Sequence, residues 1–237
     1  MTVAENLDPA SRFGESWERL FDPPLAHRGL WNRDGAPENS LAAFQAACSH
    51  GYGIELDVQL SADGEAMVFH DSKLTRMTGA EGRLSDHTAT DLGTLKLAGT
   101  DETIPTLSDT LTLIGHRAMV LIDHNGPTAI IGFNPYSHAW FAAHHPQILR
   151  GLNSYAYSDD NAHTMAAEQR KAYSRLEHVG MAKPHFLALG LDLLPSPAAT
   201  KLRDGGMPIV AWTVRSPDQW DKARDHSDNL IFEGFAA

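Results

Sequence analysis

Cysteine is nearly absent from this chain of 237 residues. Its one thiol, Cys48, excludes an intramolecular disulfide framework and sits in "LAAFQAACSHG" as a small apolar residue on a helix. Positive charge is scarce too: 19 Lys and Arg stand against 30 Asp and Glu, the formal net charge is −11, and no run of basic residues occurs. That balance excludes nucleic acid and anionic membrane surfaces as expected partners, and it requires any bound anion to be met by a local cation. No apolar stretch is long enough to cross a bilayer, so stable membrane insertion is not expected. The first twenty residues carry acids and lack both a basic start and a continuous apolar core, so they do not read as a secretory signal, and a cytoplasmic location is the expectation. No repeat, low-complexity tract or linker divides the chain. One domain over 1–237 follows, with an N-terminal extension over 1–22.

What is present is alternation. Short apolar runs of strand type occur at 24–27, 53–58, 66–70, 118–123, 128–133, 148–152, 185–190, 208–214 and 229–233. Helix-like stretches lie between most of them, at 38–51, 106–116, 135–146, 159–180, 196–206 and 216–226. In the first, Ser40 is placed as an N-cap, Leu41, Phe44, Ala47 and Cys48 form an apolar face, and Gly51 stands just past the end. Strands alternating with helices predict a largely parallel sheet covered on both faces, an α/β fold. One connection differs. "SADG", residues 61–64, is hairpin chemistry, and only antiparallel neighbours are joined so tightly. Setting 66–70 aside as a hairpin arm leaves eight parallel strands, the number a (β/α)8 TIM barrel requires.

In such a barrel the site is built where strands end and βα loops begin. His27 and Arg28 end the first strand, Glu55 and Asp57 lie near the end of the second, His70 and Asp71 end the hairpin arm, and Asp123 ends the next strand. Glu55 and Asp57, two apart in a strand, point to one face, and paired carboxylates facing a barrel interior are costly unless a cation neutralises them. Oxygen donors of this kind suit Mg2+ or Ca2+ rather than zinc. Singly, each of these residues is an ordinary turn or cap group; their common edge makes them a candidate site. Trp212 in "AWTV" either packs on a bound substrate or is a core aromatic, and Glu233 either serves the site or caps a turn. His138, His144 and His145 read as ordinary helix histidines.

The residues "HRG…PENS…AF", "IELDVQLSADG", "VFHD…L.R.T" and "IPTL", continued by "GFNP", "RGL", "AWTVRS" and "NLIFEGF", resemble the glycerophosphodiester phosphodiesterase family over about 24–235. That resemblance implies a TIM barrel of the phospholipase C-like phosphodiesterase type. It also implies hydrolysis of a glycerophosphodiester to an alcohol and glycerol 3-phosphate with one divalent cation, Mg2+ or Ca2+. By motif position it suggests His27 and His70 as general acid and base, Glu55 and Asp57 as metal ligands, Arg28 as a phosphate contact and Glu38 as an organiser of the site. Trp212 is the candidate contact to the substrate's glycerol. The substrate implied is a small glycerophosphodiester or a lysophospholipid.

Two departures from the family pattern stand out. Its next strand ends Glu-x-Lys, whereas this chain reads "LIDHN", so Asp123 replaces the third metal carboxylate and Asn125 does not supply the lysine's charge. Only "HNGPTA", residues 124–129, separates that strand from "IIGF", too short for a parallel crossover helix. The chain therefore reads as a family member with an internal deletion. Either the two strands pair with the wall left uncovered, or one leaves the barrel and a partner chain, as in a homo-oligomer, covers the apolar side. Reduced or lost activity is the expectation, and the alternative is a catalytically silent relative that binds a phosphodiester or a partner protein. An imine-forming barrel enzyme is disfavoured because no lysine lies at a suitable strand end.

Overall fold

A computed structural model describes residues 13–32, 35–122, 129–158, 160, 162 and 164–237. Helix α1, Glu15–Phe21, leads into β1, Leu25–His27, and α2, Leu41–His50, leads into β2, Gly53–Glu55. A two-stranded excursion follows, β3 Val58–Leu60 and β4 Ala66–Val68, paired antiparallel. After short helices α3, Thr75–Thr78, and α4, Ala89–Leu92, the chain runs through α5, Leu107–Ile114, β5, Val120–Leu121, and β6, Ala129–Gly132. The remainder alternates as α6 Pro135–His144, β7 Leu149–Ser154, α7 Ala167–Ser174, α8 Val179–Ala182, β8 Phe186–Gly190, α9 Pro197–Asp204, β9 Ile209–Val214, α10 Pro217–Arg224 and β10 Asn229–Phe232.

Eight of these strands form one parallel sheet in the order β5-β2-β1-β10-β9-β8-β7-β6. First and last strands pair, so the sheet curls into a barrel that is nearly closed. Among the described residues its seam lies between β5 and β6, the two ends of the strand order. Neither expected outcome is seen there: both strands keep their places in the sheet, yet among the described residues no ladder joins them to each other. The eight strands match the eight sequence runs, and the SADG turn produces the hairpin, with Ser61 Oγ accepting from the Glu65 amide at 2.9 Å and donating to Asp63 at 2.6 Å.

Local chemistry sets the helix ends. Ser40 accepts from the Ala43 amide, and Gly51 takes the left-handed conformation at φ 75 that closes α2. Thr106, Asn134, Ser196 and Ser216 cap α5, α6, α9 and α10 in the same way, with Pro opening the last three. Within 159–180, read as one helical stretch, the described residues form two short helices, α7 and α8, with Leu176 between them at φ 59. No described helix is long and apolar enough to cross a membrane.

The two-residue period of the strands sorts the core. Leu25, Leu121, Ala129, Leu149, Phe186, Val210 and Ile231 pack together inside the barrel, with Trp17, Leu20 and Phe21 of α1 packed against them. Ala26, Ile54, Val120, Ala211 and Phe232 face the other way, toward Phe44, Ala47, Ile114 and Ala223 on the surrounding helices. Asn229 ties β10 to the end of α1 and the segment after it by donating to the carbonyls of Leu20 and Pro23 at 2.6 and 3.0 Å.

Candidate active site

The same parity fixes which side chains reach the upper end of the barrel. With Leu25 inside and Ala26 outside, His27 turns inward; Glu55 is its register partner on β2. Counting by twos from Leu149 on β7 and Val210 on β9 brings Asn153 and Trp212 inward as well. These side chains, with Arg28, Asp57, His70, Ile131, Phe133 and Ile231, line one cavity of about 130 Å³. Asp57 lies beyond the end of β2, where the chain turns into the hairpin, so the two carboxylates do not share one strand as the sequence suggested; they line the cavity together even so.

Each imidazole is tied through one nitrogen to a carboxylate. His27 Nδ1 lies 2.5 Å from Glu233 Oε2, and its Nε2 lies 3.9 Å from Glu55 Oε2. His70 Nδ1 lies 2.6 Å from Asp71 Oδ1. A carboxylate accepts only from a protonated Nδ1, which leaves Nε2 on both rings free to take or give a proton. Burial alone would raise the Glu233 carboxyl, but the His27 hydrogen bond and charge, with Arg215 beside it, outweigh that and hold it at about 2. Asp71 is held at about 2 chiefly by Arg76.

The loops are braced by arginines. Arg28 adopts φ 60, donates its amide to Glu55 at 3.3 Å and its Nη1 to Glu38 at 2.9 Å, and holds Nε 3.2 Å from Asp57 Oδ2. Arg76 forks between Glu38 and Asp71, with contacts of 2.6 Å to each. Burial raises the Glu38 carboxyl, and the two arginines overcome this and lower it. Glu38 thus joins the HRG turn to the His70–Asp71 loop without lining the cavity. Asn39, at φ 56, donates to Asp57 at 3.0 Å, and Gln59 Nε2 donates to the carbonyls of Phe69, His70 and Asp71 at 3.0, 2.8 and 2.9 Å.

Glu55 is the group under strain. Burial raises its pKa, the Asp57 charge adds to the rise, and His27 and Arg28 offset part of it. A carboxylate short of charge compensation beside a second one fits a hard divalent cation in kind. Among the described residues, no group of three or more His, Cys, Asp or Glu side chains is arranged to hold a metal ion. Asp123, the third expected ligand, and Asn125 lie outside the described residues. His138 instead turns inward to the Gly132 carbonyl at 3.1 Å, an ordinary core contact.

Sequence reasoning named His27, Arg28, Glu38, Glu55, Asp57, Asp123, His70 and Trp212; the structure brings all of these to one cavity except Glu38, which does not line it, and Asp123, which lies outside the described residues. It left Glu233 undecided and missed Asn39, Gln59, Arg76 and Asn153. Asn153 had a signal, its parity with Leu149; Gln59 and Arg76 stand inside the quoted motifs, but their partners lie on other segments and emerge only from packing.

Known proteins share both sequence and shape with this chain. Residues 27–136 match the sequence model of the glycerophosphoryl diester phosphodiesterase family. A glycerophosphodiester phosphodiesterase of Caldanaerobacter subterraneus subsp. tengcongensis is 42% identical over 102 residues, 39% of this chain and 40% of that protein. The chain thus spans about two fifths of the length of that relative. Glycerophosphodiester phosphodiesterase 1 of Homo sapiens is 26% identical over 85% of this chain and 74% of its own. Among solved structures, an Oleispira antarctica phosphodiesterase in complex with the product sn-glycerol-3-phosphate superimposes with a TM-score of 0.72 at 23% identity, covering 92% of this chain and 94% of that one.

Proposed function

We propose that the chain, whose residues 27–136 match the glycerophosphoryl diester phosphodiesterase family, hydrolyses glycerophosphodiesters to an alcohol and glycerol 3-phosphate. The reading extends to dependence on a divalent cation, Mg2+ or Ca2+, held by Glu55 and Asp57. The observation that carries it is the pair of imidazoles, each with Nδ1 committed to a carboxylate, on one cavity with Glu55 and Asp57. Two proton carriers beside a paired carboxylate suit displacement at a phosphodiester, where one oxygen must lose a proton and another gain one.

The glycerol hydroxyl next to the phosphate is the nucleophile. Nε2 of one histidine takes its proton as oxygen attacks phosphorus, and Nε2 of the other gives a proton to the departing alcohol, leaving a cyclic phosphate. Water then opens the ring with the two roles reversed, so both imidazoles end as they began. Glu233 and Asp71 stabilise the imidazolium formed at each step and hold each ring in its tautomer. Arg28 supplies fixed positive charge at the cavity wall, which an acidic protein otherwise lacks. When bound, the cation neutralises charge growing on the phosphoryl oxygens. The open seam between β5 and β6 stands beside the site, which supports a turnover below that of an unshortened relative.

Purified protein incubated with a glycerophosphodiester and Mg2+ or Ca2+ tests the proposal. Release of glycerol 3-phosphate that stops on chelation is the expected result. No turnover with either ion, despite saturable substrate binding, would favour the silent relative.

A further inference from the structure

Three side-chain oxygens at the upper end of the barrel are acceptors without a donor. The Arg28 amide and the Asn39 side chain donate to Glu55 Oε2 and Asp57 Oδ2, and Arg28 Nε stands 3.2 Å from the same Oδ2. Among the described residues nothing donates a hydrogen bond to the other oxygen of either carboxylate, Glu55 Oε1 or Asp57 Oδ1. Asn153 adds the third. It is 9% exposed, and its Oδ1 has no hydrogen-bond partner among the described residues. A buried acceptor left bare costs stability, so it marks a contact that something else completes.

The three oxygens come from separate elements and meet on one hollow. Glu55 ends β2, Asp57 stands where the chain enters the hairpin, and Asn153 reaches inward near the end of β7. All three line the cavity of about 130 Å³, and all three also line a larger hollow of about 600 Å³ that shares those walls. The smaller space lies below the range of clefts that enclose an organic ligand, about 300 Å³ and up. It suits an ion with a few attendant oxygens.

The chemistry of the walls chooses the occupant. Two carboxylates and an amide oxygen offer lone pairs and no proton, so a cation satisfies all three at once. The carboxylates balance the charge of a divalent ion, and the amide adds a donor atom without adding to their mutual repulsion. Asn153 also bears on which ion is held. Ca2+ takes many oxygens in a flexible shell and accepts amide carbonyls among them, whereas Mg2+ demands a tight octahedron, keeps several waters and is met by one or two carboxylates.

We infer that Asn153 Oδ1 is a direct ligand of the divalent cation beside Glu55 and Asp57, and that this amide makes the site one for Ca2+ in preference to Mg2+. This rests on the cation-dependent reading above. Asn153 takes no part in proton transfer.

Calorimetric titration of the intact chain with CaCl2 and, separately, MgCl2 tests the assignment without substrate or turnover. The parent should bind Ca2+ about tenfold tighter than Mg2+. Asn153→Leu keeps the size and removes the oxygen; it should weaken Ca2+ by about tenfold and Mg2+ by less than about threefold. Asn153→Asp restores the oxygen with a charge and should tighten Ca2+ by about tenfold. Melting curves with and without CaCl2 accompany the titrations, and the Ca2+-induced rise in midpoint should shrink in the first variant and grow in the second. Unchanged Ca2+ affinity in a folded Asn153→Leu, or an equal loss for both ions, overturns the assignment and leaves the cation reading standing. Where Asn153→Leu does not fold, an Asn153→Asp that binds Ca2+ no tighter than the parent overturns it. No saturable binding of either ion by the parent overturns the cation reading itself, and the assignment with it.

Discussion

Glu233 touches no reacting atom in the proposed chemistry, yet it sets what His27 can do. Its charge, held down to about 2, is present throughout the working range, and it faces Nδ1 at 2.5 Å. Glu233→Gln keeps the shape and removes the charge that favours an imidazolium. We expect kcat to fall by about 10- to 100-fold with little change in KM, read from initial rates; an unchanged kcat would leave Glu233 as a turn residue. His178 is a second residue with a measurable signature. It is 5% exposed, stacks on Tyr173 at 4.1 Å and has no hydrogen-bond partner on either ring nitrogen among the described residues, and burial holds its pKa at about 4. The folded pKa is below the unfolded one, so the unfolded chain binds the extra proton first. Stability is full above about pH 6.5 and falls as pH drops toward 4, by roughly 3 kcal/mol over the window. Urea midpoints at the two ends of that window should show this loss in the parent and a smaller one in His178→Phe. His27, His70, Glu55 and Asp57 were legible because short motifs concentrate their chemistry. The partners of Arg76 and Gln59 were not, because Arg76 on α3 and Gln59 on β3 bond to segments that only folding brings beside them.

At the scale of elements, the turn after β1 is the most constrained piece of the site. Arg28 and Gly29 are both left-handed, at φ 60 and 82, and a Cβ on Gly29 would stand 2.9 Å from the carbonyl carbon and Cβ of Ala43 on α2. Gly29→Ala therefore meets backbone strain and overpacking together. It should cost about 3 kcal/mol, seen as a lower denaturant midpoint; a midpoint within error of the parent would contradict this reading of the turn. The element plan itself was readable: Ser40 marked the start of α2, and SADG marked the antiparallel pair. The place of Asp57 was not, because the run 53–58 is continuous in hydropathy while the chain leaves the sheet after Glu55 to enter the hairpin.

The described strands make a nearly closed barrel in which β5 and β6, the ends of the strand order, share no ladder. Strand count and order follow from the sequence runs, but a hydrophobic pattern does not say how a shortened connection resolves, since keeping both strands in place and losing one bury similar side chains. Strands β5 and β6 each have one ladder partner, whereas β8 and β9 have two. Native-state hydrogen exchange should therefore find the amides of Val120, Leu121, Ile130 and Ile131 less protected than those of Leu187, Ala188, Val210 and Ala211. Uniform protection around the barrel would mean that the seam is closed in solution. The site stands or falls on two imidazoles serving one phosphorus. The most direct measurement is the rate of glycerol 3-phosphate release, with divalent cation present, by the parent, His27→Asn, His70→Asn and the double variant. Each single change should lower the rate by about 10²- to 10⁴-fold, with the double variant close to the worse single because the pair acts as a unit. Parental turnover by either single variant would contradict the paired roles of His27 and His70.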